Sequence, residues 1–184
     1  MHITVFCGSK IPKPKEYIQA SQELGAWIGQ SRHTLVYGGS QTGLMGQLAD
    51  ACIQAGGSTI GVIPQVLDQL ERNHPHLDRT IQVSSMSERK DKLIELGQAY
   101  IALPGGPGTL EEVADALSWA RIGLHDHPCI LYNIQGYYDK LIDFYQQMVD
   151  DKFIQRADLD HLKICSSLAD IKDLLAPQNQ SNEG

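Results

Sequence analysis

Residues 99–123 read AYIALPGGPGTLEEVADALSWARIG. The first six form a short, continuous apolar run, the reading of a buried strand. Gly105, Gly106 and Gly108 then crowd into four positions, and from Thr109 onward apolar residues return at helical spacing. A strand that passes through a glycine turn directly into an amphipathic helix is half of a βαβ unit.

The same alternation runs outward in both directions. Strand candidates are ITVFC, TLVYG, TIGVIP, TIQVS, AYIALP, CILYNI and LKICS. Between them lie the helical patterns KEYIQASQELGAWIGQ, GLMGQLADACIQAG, SERKDKLIELG, TLEEVADALSWARIG and YYDKLIDFYQQMVDD. Apolar strands separated by amphipathic helices predict an α/β fold: a doubly wound, Rossmann-like domain with a mainly parallel sheet of about seven strands, covered on both faces. One domain is expected over residues 1–175, with a polar, disordered tail over 176–184 (APQNQSNEG). The connection PQVLDQLERNHPHLDR, residues 64–79, is long, charged and broken by Pro75, and reads as a lid or a surface excursion.

Composition narrows the function. A chain of 184 residues with 42 % hydrophobic and 20 % charged residues buries an ordinary core without disulfides or metal. Its net charge of −7 argues against a general nucleic-acid binder but allows a small anionic ligand at a locally positive site. Cys7, Cys52, Cys129 and Cys165 form no CxxC pair and read as buried thiols of a reduced cytoplasm. MHITVFCGSK lacks a basic segment followed by a long apolar stretch and no run approaches 18 apolar residues, so no signal peptide and a cytoplasmic protein without a membrane partner are expected.

In open α/β sheets ligands bind beyond the carboxyl ends of strands. That rule selects CGSK, YGGSQTG, VIPQ and LPGGPGT. In the last, glycines let backbone approach a ligand, and free amides at a helix start attract an anion, with phosphate the natural guest; a tight βα turn is the simpler alternative. Thr109 and Glu112 have capping-box spacing, T-x-x-E, so Glu112 reads equally as a cap and as a catalyst. Glu111 lies about 100° around the helix from Glu112 and plays a different part. In SMSERKDKLIEL, Arg89 falls on the inward stripe with Met86, Leu93 and Leu96, with Lys90 at its border, and calls for a carboxylate or a phosphate unless it snorkels to water. Ser85 and Glu88 repeat the capping spacing, which makes Glu88 structural.

YGGSQTGLMG, residues 37–46, is a second glycine turn, but Ser40 breaks the dinucleotide fingerprint and no G-K-[ST] follows, so a mononucleotide fits better than ATP with magnesium. The two glycine turns would face each other if their strands flank the crevice. His74 with His76, and His125 with His127, lack a matching ligand set, so no metal is expected. Nothing marks Lys90 or Lys92 as a Schiff-base lysine.

Taken together, GGSxxGLMG, IGVIP, SMSERK and LPGGPGTLEE…SWARIGLHDHP resemble the LOG family, the cytokinin riboside 5′-monophosphate phosphoribohydrolases formerly labelled lysine decarboxylases. The resemblance spans roughly residues 3–155. It implies hydrolysis of the N-glycosidic bond of a nucleoside 5′-monophosphate, such as AMP or a cytokinin riboside monophosphate, to free base and ribose 5-phosphate, without a cofactor. By this resemblance Arg89 and Glu112 are the catalytic pair, and Gly105, Gly106, Gly108 and Thr109 hold the phosphate. Lys90, Glu71, Glu111 and Ser118 join the substrate-binding set, and a homodimer is implied. Ser87 stands where the family often has histidine, Ser40 where it often has glycine, and Ser118 where it often has threonine. A non-catalytic nucleotide or cofactor carrier of the same fold, and a broad salvage nucleosidase, are the competing readings.

Overall fold

The computed structural model describes residues 1–65 and 72–176. Seven strands form one sheet: β1 (His2–Phe6), β2 (Thr34–Tyr37), β3 (Ser58–Pro64), β4 (Arg79–Val83), β5 (Ala99–Ala102), β6 (Cys129–Tyr132) and β7 (Leu162–Cys165). Their order is β4-β3-β2-β1-β5-β6-β7, and every ladder is parallel. The helices are α1 (Lys15–Gln30), α2 (Gly43–Gln54), α3 (Met86–Leu96), α4 (Pro107–Arg121), α5 (Asp139–Asp150) and α6 (Leu168–Leu175). All seven expected strands are present.

Successive strand residues point to opposite faces, and both faces are apolar, so two cores form. Val5, Leu35, Tyr37, Ile101 and Ile130 pack under α1, α2 and α6. Phe6, Val36, Val62, Ala102 and Leu131 pack under α3 and α4. α1 and α2 approach closely because glycine sits at the seam: a Cβ on Gly29 would lie 2.6 Å from the Cys52 carbonyl oxygen. The eight-residue α6 was not among the expected helices. Ser167 caps it by accepting from the Asp170 amide at 3.2 Å while Asp170 accepts from the Ser167 amide at 2.8 Å. That exchange supports a helix of barely two turns, which would be marginal alone.

The chain winds outward from β1 to β4 on one side and from β5 to β7 on the other. The switch point is therefore the crevice between β1 and β5, where the chain reverses direction. The turn that faces the β5–α4 glycines is thus the one after β1: a Cβ on Gly8 would stand 3.6 Å from the Gly105 Cα. The second glycine turn, after β2, sits one strand further out, so β2 does not flank the crevice and the condition for a face-to-face pairing is not met. It supports the first turn instead. The Leu44 amide donates to the Gly8 carbonyl at 3.0 Å, and Thr42 Oγ1 donates to the Ser9 carbonyl at 3.0 Å. Gly43, at φ +63°, lets α2 begin hard against Ser9 and Lys10.

Candidate active site

At the crevice a cavity of about 270 Å³ opens, near the lower end of the ligand-pocket range. Its polar walls include Ser9, Arg89, Lys90, Thr109, Glu111 and Glu112. A larger hollow, about 630 Å³, lies between α1 and α2 but carries Glu23 and Asp50 with no lysine or arginine, so it does not suit an anion.

The glycine turn divides by function. A Cβ on Gly105 would lie 2.6 Å from the Thr109 Cβ, so packing alone demands glycine there. A Cβ on Gly106 or Gly108 would meet nothing within 4 Å, and Gly106 has φ −95°, outside the left-handed region. Neither clash nor strain explains glycine at those two positions, both of which line the cavity. α4 begins at Pro107, so Gly106 is its N-cap and Thr109 is already its third residue. No capping box forms between Thr109 and Glu112, and the capping reading of Glu112 falls away. Among the described residues, the amides of Gly106, Gly108 and Thr109 meet no acceptor.

One turn inside α4 stands Glu112, with only 8 % of its surface exposed. Among the described residues it has no ion-pair partner within 4 Å. Burial pushes its carboxyl up from 4.5 to about 7, with the Arg89 guanidinium opposing the rise. The Cys7 thiol, at the end of β1, is pushed up by its own burial and then by Glu112, and is inert beneath the site.

Arg89 is 4 % exposed and neither snorkels nor pairs with a carboxylate among the described residues. Its Nε donates to the Val62 carbonyl at 3.2 Å and its Nη2 to the Gly38 carbonyl at 3.1 Å. Two strand-end carbonyls thus fix the guanidinium while leaving donors for the cavity. Backbone acceptors serve because the carboxyl edges of β2 and β3 come together only in the sheet. Met86, expected on the buried stripe, is 41 % exposed and lines the cavity instead, since α3 begins at that rim. Ser85 caps α3, accepting from the Glu88 amide at 3.1 Å. The Glu88 carboxylate accepts from the Ser84 amide at 2.7 Å, one residue earlier than a capping box requires. Glu88 is structural, as its spacing indicated.

Lys90 borders the cavity with its ammonium 2.7 Å from both Glu111 and Asp115. Those hydrogen bonds raise its pKa, the opposite of what a Schiff-base lysine requires. Lys92 pairs with Glu95 at 2.6 Å. Ser118 is not brought to this cavity; it lines a separate apolar groove between α4 and α5 with Leu117, Tyr145 and Met148. Glu71 and most of the connection read as a lid lie outside the described residues. Beyond them, Gln41 donates to the Arg72 carbonyl and His74 to the Gly39 carbonyl, which returns the chain to the β2 turn. His74 Nε2 stands 3.1 Å from Asp50, and His125 Nε2 2.9 Å from the Ala116 carbonyl, so both rings have structural partners. Cys7, Gly8, Ser9, Met45 and Met86 are cavity residues that sequence reasoning did not assign. The strand-end position of CGSK was the available signal for the first three.

Comparison with known proteins agrees with this architecture. A family profile described as "Possible lysine decarboxylase" matches residues 45–175. A cytokinin riboside 5′-monophosphate phosphoribohydrolase of Rhodococcoides fascians is 39 % identical over 90 % of this chain and 84 % of its own. An Arabidopsis thaliana enzyme of the same name is 41 % identical over 83 % of this chain and 67 % of its own. Among solved structures, the Moco carrier protein of Chlamydomonas reinhardtii superposes with a TM-score of 0.71 at 25 % identity, covering 95 % of this chain and 97 % of that one. The molybdenum cofactor binding protein of Rippkaea orientalis shares the fold, with a TM-score of 0.72 at 22 % identity over 94 % and 93 % of the two chains. By sequence, with a fold that agrees, the chain belongs to the LOG family, that of the cytokinin riboside 5′-monophosphate phosphoribohydrolases.

Proposed function

We propose that this chain hydrolyses the N-glycosidic bond of a nucleoside 5′-monophosphate, releasing free base and ribose 5-phosphate. The observation that carries the reading is a buried, unpaired carboxylate one helical turn inside a set of unengaged amides, in a cavity that also holds Arg89. The amides of Gly106, Gly108 and Thr109 take the phosphate at the positive end of α4. Holding the phosphate fixes the ribose so that its anomeric carbon faces Glu112. Breaking the bond builds positive charge on the ribose, which the ionised Glu112 stabilises while it orients water. The hydroxide part of that water joins C1′, the bond to the base nitrogen breaks with its electron pair going to the base, and a proton returns to the base. Arg89, held by backbone carbonyls, keeps its charge and steadies the departing base or the phosphate.

Lys90 and Glu111 contact the nucleotide from the rim, and Glu71 is assigned to substrate by resemblance alone. Ser118 is assigned to substrate by resemblance alone and would reach it only from a second copy; the apolar α4–α5 groove that it lines with Leu117, Tyr145 and Met148 is a surface over which a homodimer could form. Among the described residues no helix is long and apolar enough to cross a membrane, and the four thiols are free and buried, which supports the cytoplasm as its compartment.

The test is incubation with AMP and with an N6-substituted adenosine monophosphate, followed by detection of base and ribose 5-phosphate. Release by the native chain, and its loss in a folded Glu112→Gln variant, is expected. Unchanged nucleotide in a tight complex would instead favour a carrier, the role named for the similarly folded Chlamydomonas protein.

A further inference from the structure

The β5–α4 turn is held from behind by two adjacent side chains that no role has yet been given. The sequence pattern places Tyr137 and Tyr138 in the first turn of the fifth helix, but α5 begins at Asp139. Gly136, at φ +72°, ends a short 3-10 turn and swings both tyrosines toward the crevice. The Tyr138 hydroxyl donates to the Leu103 carbonyl at 2.7 Å, and the Tyr137 hydroxyl donates to the Gly105 carbonyl at 2.5 Å. Two phenols therefore hold two carbonyls on either side of Pro104. Tyr138 is buried, and its ring is part of the core beneath α4. Tyr137 is 42 % exposed, with its ring edge-on to Tyr17 of α1 at 5.5 Å and to Tyr138 at 4.9 Å.

The carbonyl and the amide of one planar trans peptide point in opposite directions. Gly105 supplies the carbonyl of the peptide whose amide belongs to Gly106, and Gly106 lines the cavity while Tyr137 does not. A bond from Tyr137 to that carbonyl turns the Gly106 amide away from the phenol, toward the anion. A peptide between two glycines meets little steric resistance to turning over, since neither flanking residue has a Cβ. Turned over, it would present a carbonyl oxygen to the phosphate in place of an N–H. The first residue of α4 is Pro107, which has no amide, so Gly106 is the outermost donor of the set and its loss cannot be made up by its neighbour.

We infer that Tyr137 is a positioning residue for phosphate recognition: its hydroxyl locks the Gly105–Gly106 peptide with the amide facing the 5′-phosphate. Tyr137 touches no substrate and acts through the backbone. The inference rests on the proposed phosphate site, and it predicts a selective defect. An enzyme with an unlocked peptide must reorganise to bind phosphate, whereas a substrate without phosphate gains nothing from the lock.

The experiment compares the native chain with Tyr137→Phe, which keeps the ring against Tyr17 and Tyr138 and deletes only the hydroxyl. Binding of ribose 5-phosphate is measured by calorimetry, and turnover is measured with AMP and with adenosine. One lost neutral hydrogen bond predicts weakening of ribose 5-phosphate binding on the order of tenfold, a matching rise in KM for AMP, and no change in the residual reaction with adenosine. Equal losses with AMP and adenosine would mark a merely structural tyrosine, and unchanged ribose 5-phosphate binding would also overturn the proposal. Native chain that binds ribose 5-phosphate tightly but cleaves no nucleotide would refute the hydrolase reading while leaving the lock testable by binding alone. A measurement on the native chain needs no variant: inorganic phosphate should move the Gly106 amide proton downfield in its NMR spectrum, and an unmoved Gly106 resonance would refute the inference.

Discussion

Glu112→Gln provides the sharpest test of how the site is built, because it separates the carboxylate's chemistry from its effect on stability. Burial raises this carboxyl from its ordinary 4.5 to about 7. A carboxyl raised by folding favours its neutral form in the native state, so its ionisation opposes folding. Its penalty is absent at and below pH 4.5, grows as pH rises, and is complete above about 7. At roughly 1.4 kcal/mol per pH unit, the gap between the two values corresponds to about 3 kcal/mol. Glutamine has nearly the shape of the neutral acid and cannot ionise. The variant should therefore match the native chain in stability near pH 4.5 and exceed it by about 3 kcal/mol at pH 8.5, an increase of roughly 6–12 °C in Tm for a domain of this size. Urea unfolding of both chains at pH 5, 7 and 8.5 reads this directly. A stability difference that does not change with pH would refute the reasoning. So would a native chain that gains on the variant as pH rises, since that would mean Arg89 stabilises an ionised Glu112 more than burial opposes it.

Three further outcomes follow from the same geometry. If the ionised Glu112 is required, kcat/KM should rise with pH through an apparent pKa near 7, and a rate already level at pH 5.5 would exclude that role. Gly106→Ala and Gly108→Ala should fold normally, because the added methyl enters open space, yet weaken nucleotide binding by on the order of tenfold or more; Gly105→Ala should instead lower Tm, because its methyl meets Thr109. Lys90 and the two carboxylates it holds surround Glu112 with charges of both signs. Lys90→Met should move the acidic limb of the rate profile to higher pH and Asp115→Asn should move it lower, and shifts in the same direction would contradict the charge arrangement.

Much of this protein is written locally. The central strands are apolar on both faces, the turns after β1, β2 and β5 carry glycine, and helices α1 to α5 show their period, so the strand–helix alternation and the parallel sheet follow from residue order alone. The pattern PGGPGTLEE also marks a helix start after a strand end, and a parallel sheet places that junction at the ligand edge. α6 is short and was not singled out, although Leu168, Ile171 and Leu175 recur at helical spacing; the junction before α5 differs because a left-handed Gly136 redirects two tyrosines that fit a helix pattern.

What the chain order does not encode is which strand ends become neighbours. Nothing in the spacing of CGSK and PGGPGT, nearly a hundred residues apart, says that Gly8 lies against Gly105, and the second glycine turn was equally eligible until the sheet order put β1 beside β5. Arg89 was marked as inward, but its acceptors are the carbonyl of Gly38, just past β2, and that of Val62 in β3, which any sequence could supply and only the folded sheet aims. T-x-x-E spacing left Glu112 between cap and catalyst. The start of α4 at Pro107 removed the cap, and burial in the folded crevice supplied the desolvation that moves its pKa. Local composition thus determined the elements and the chemical groups on offer. The tertiary structure decided their distances and burial, because both depend on contacts between segments far apart in the chain.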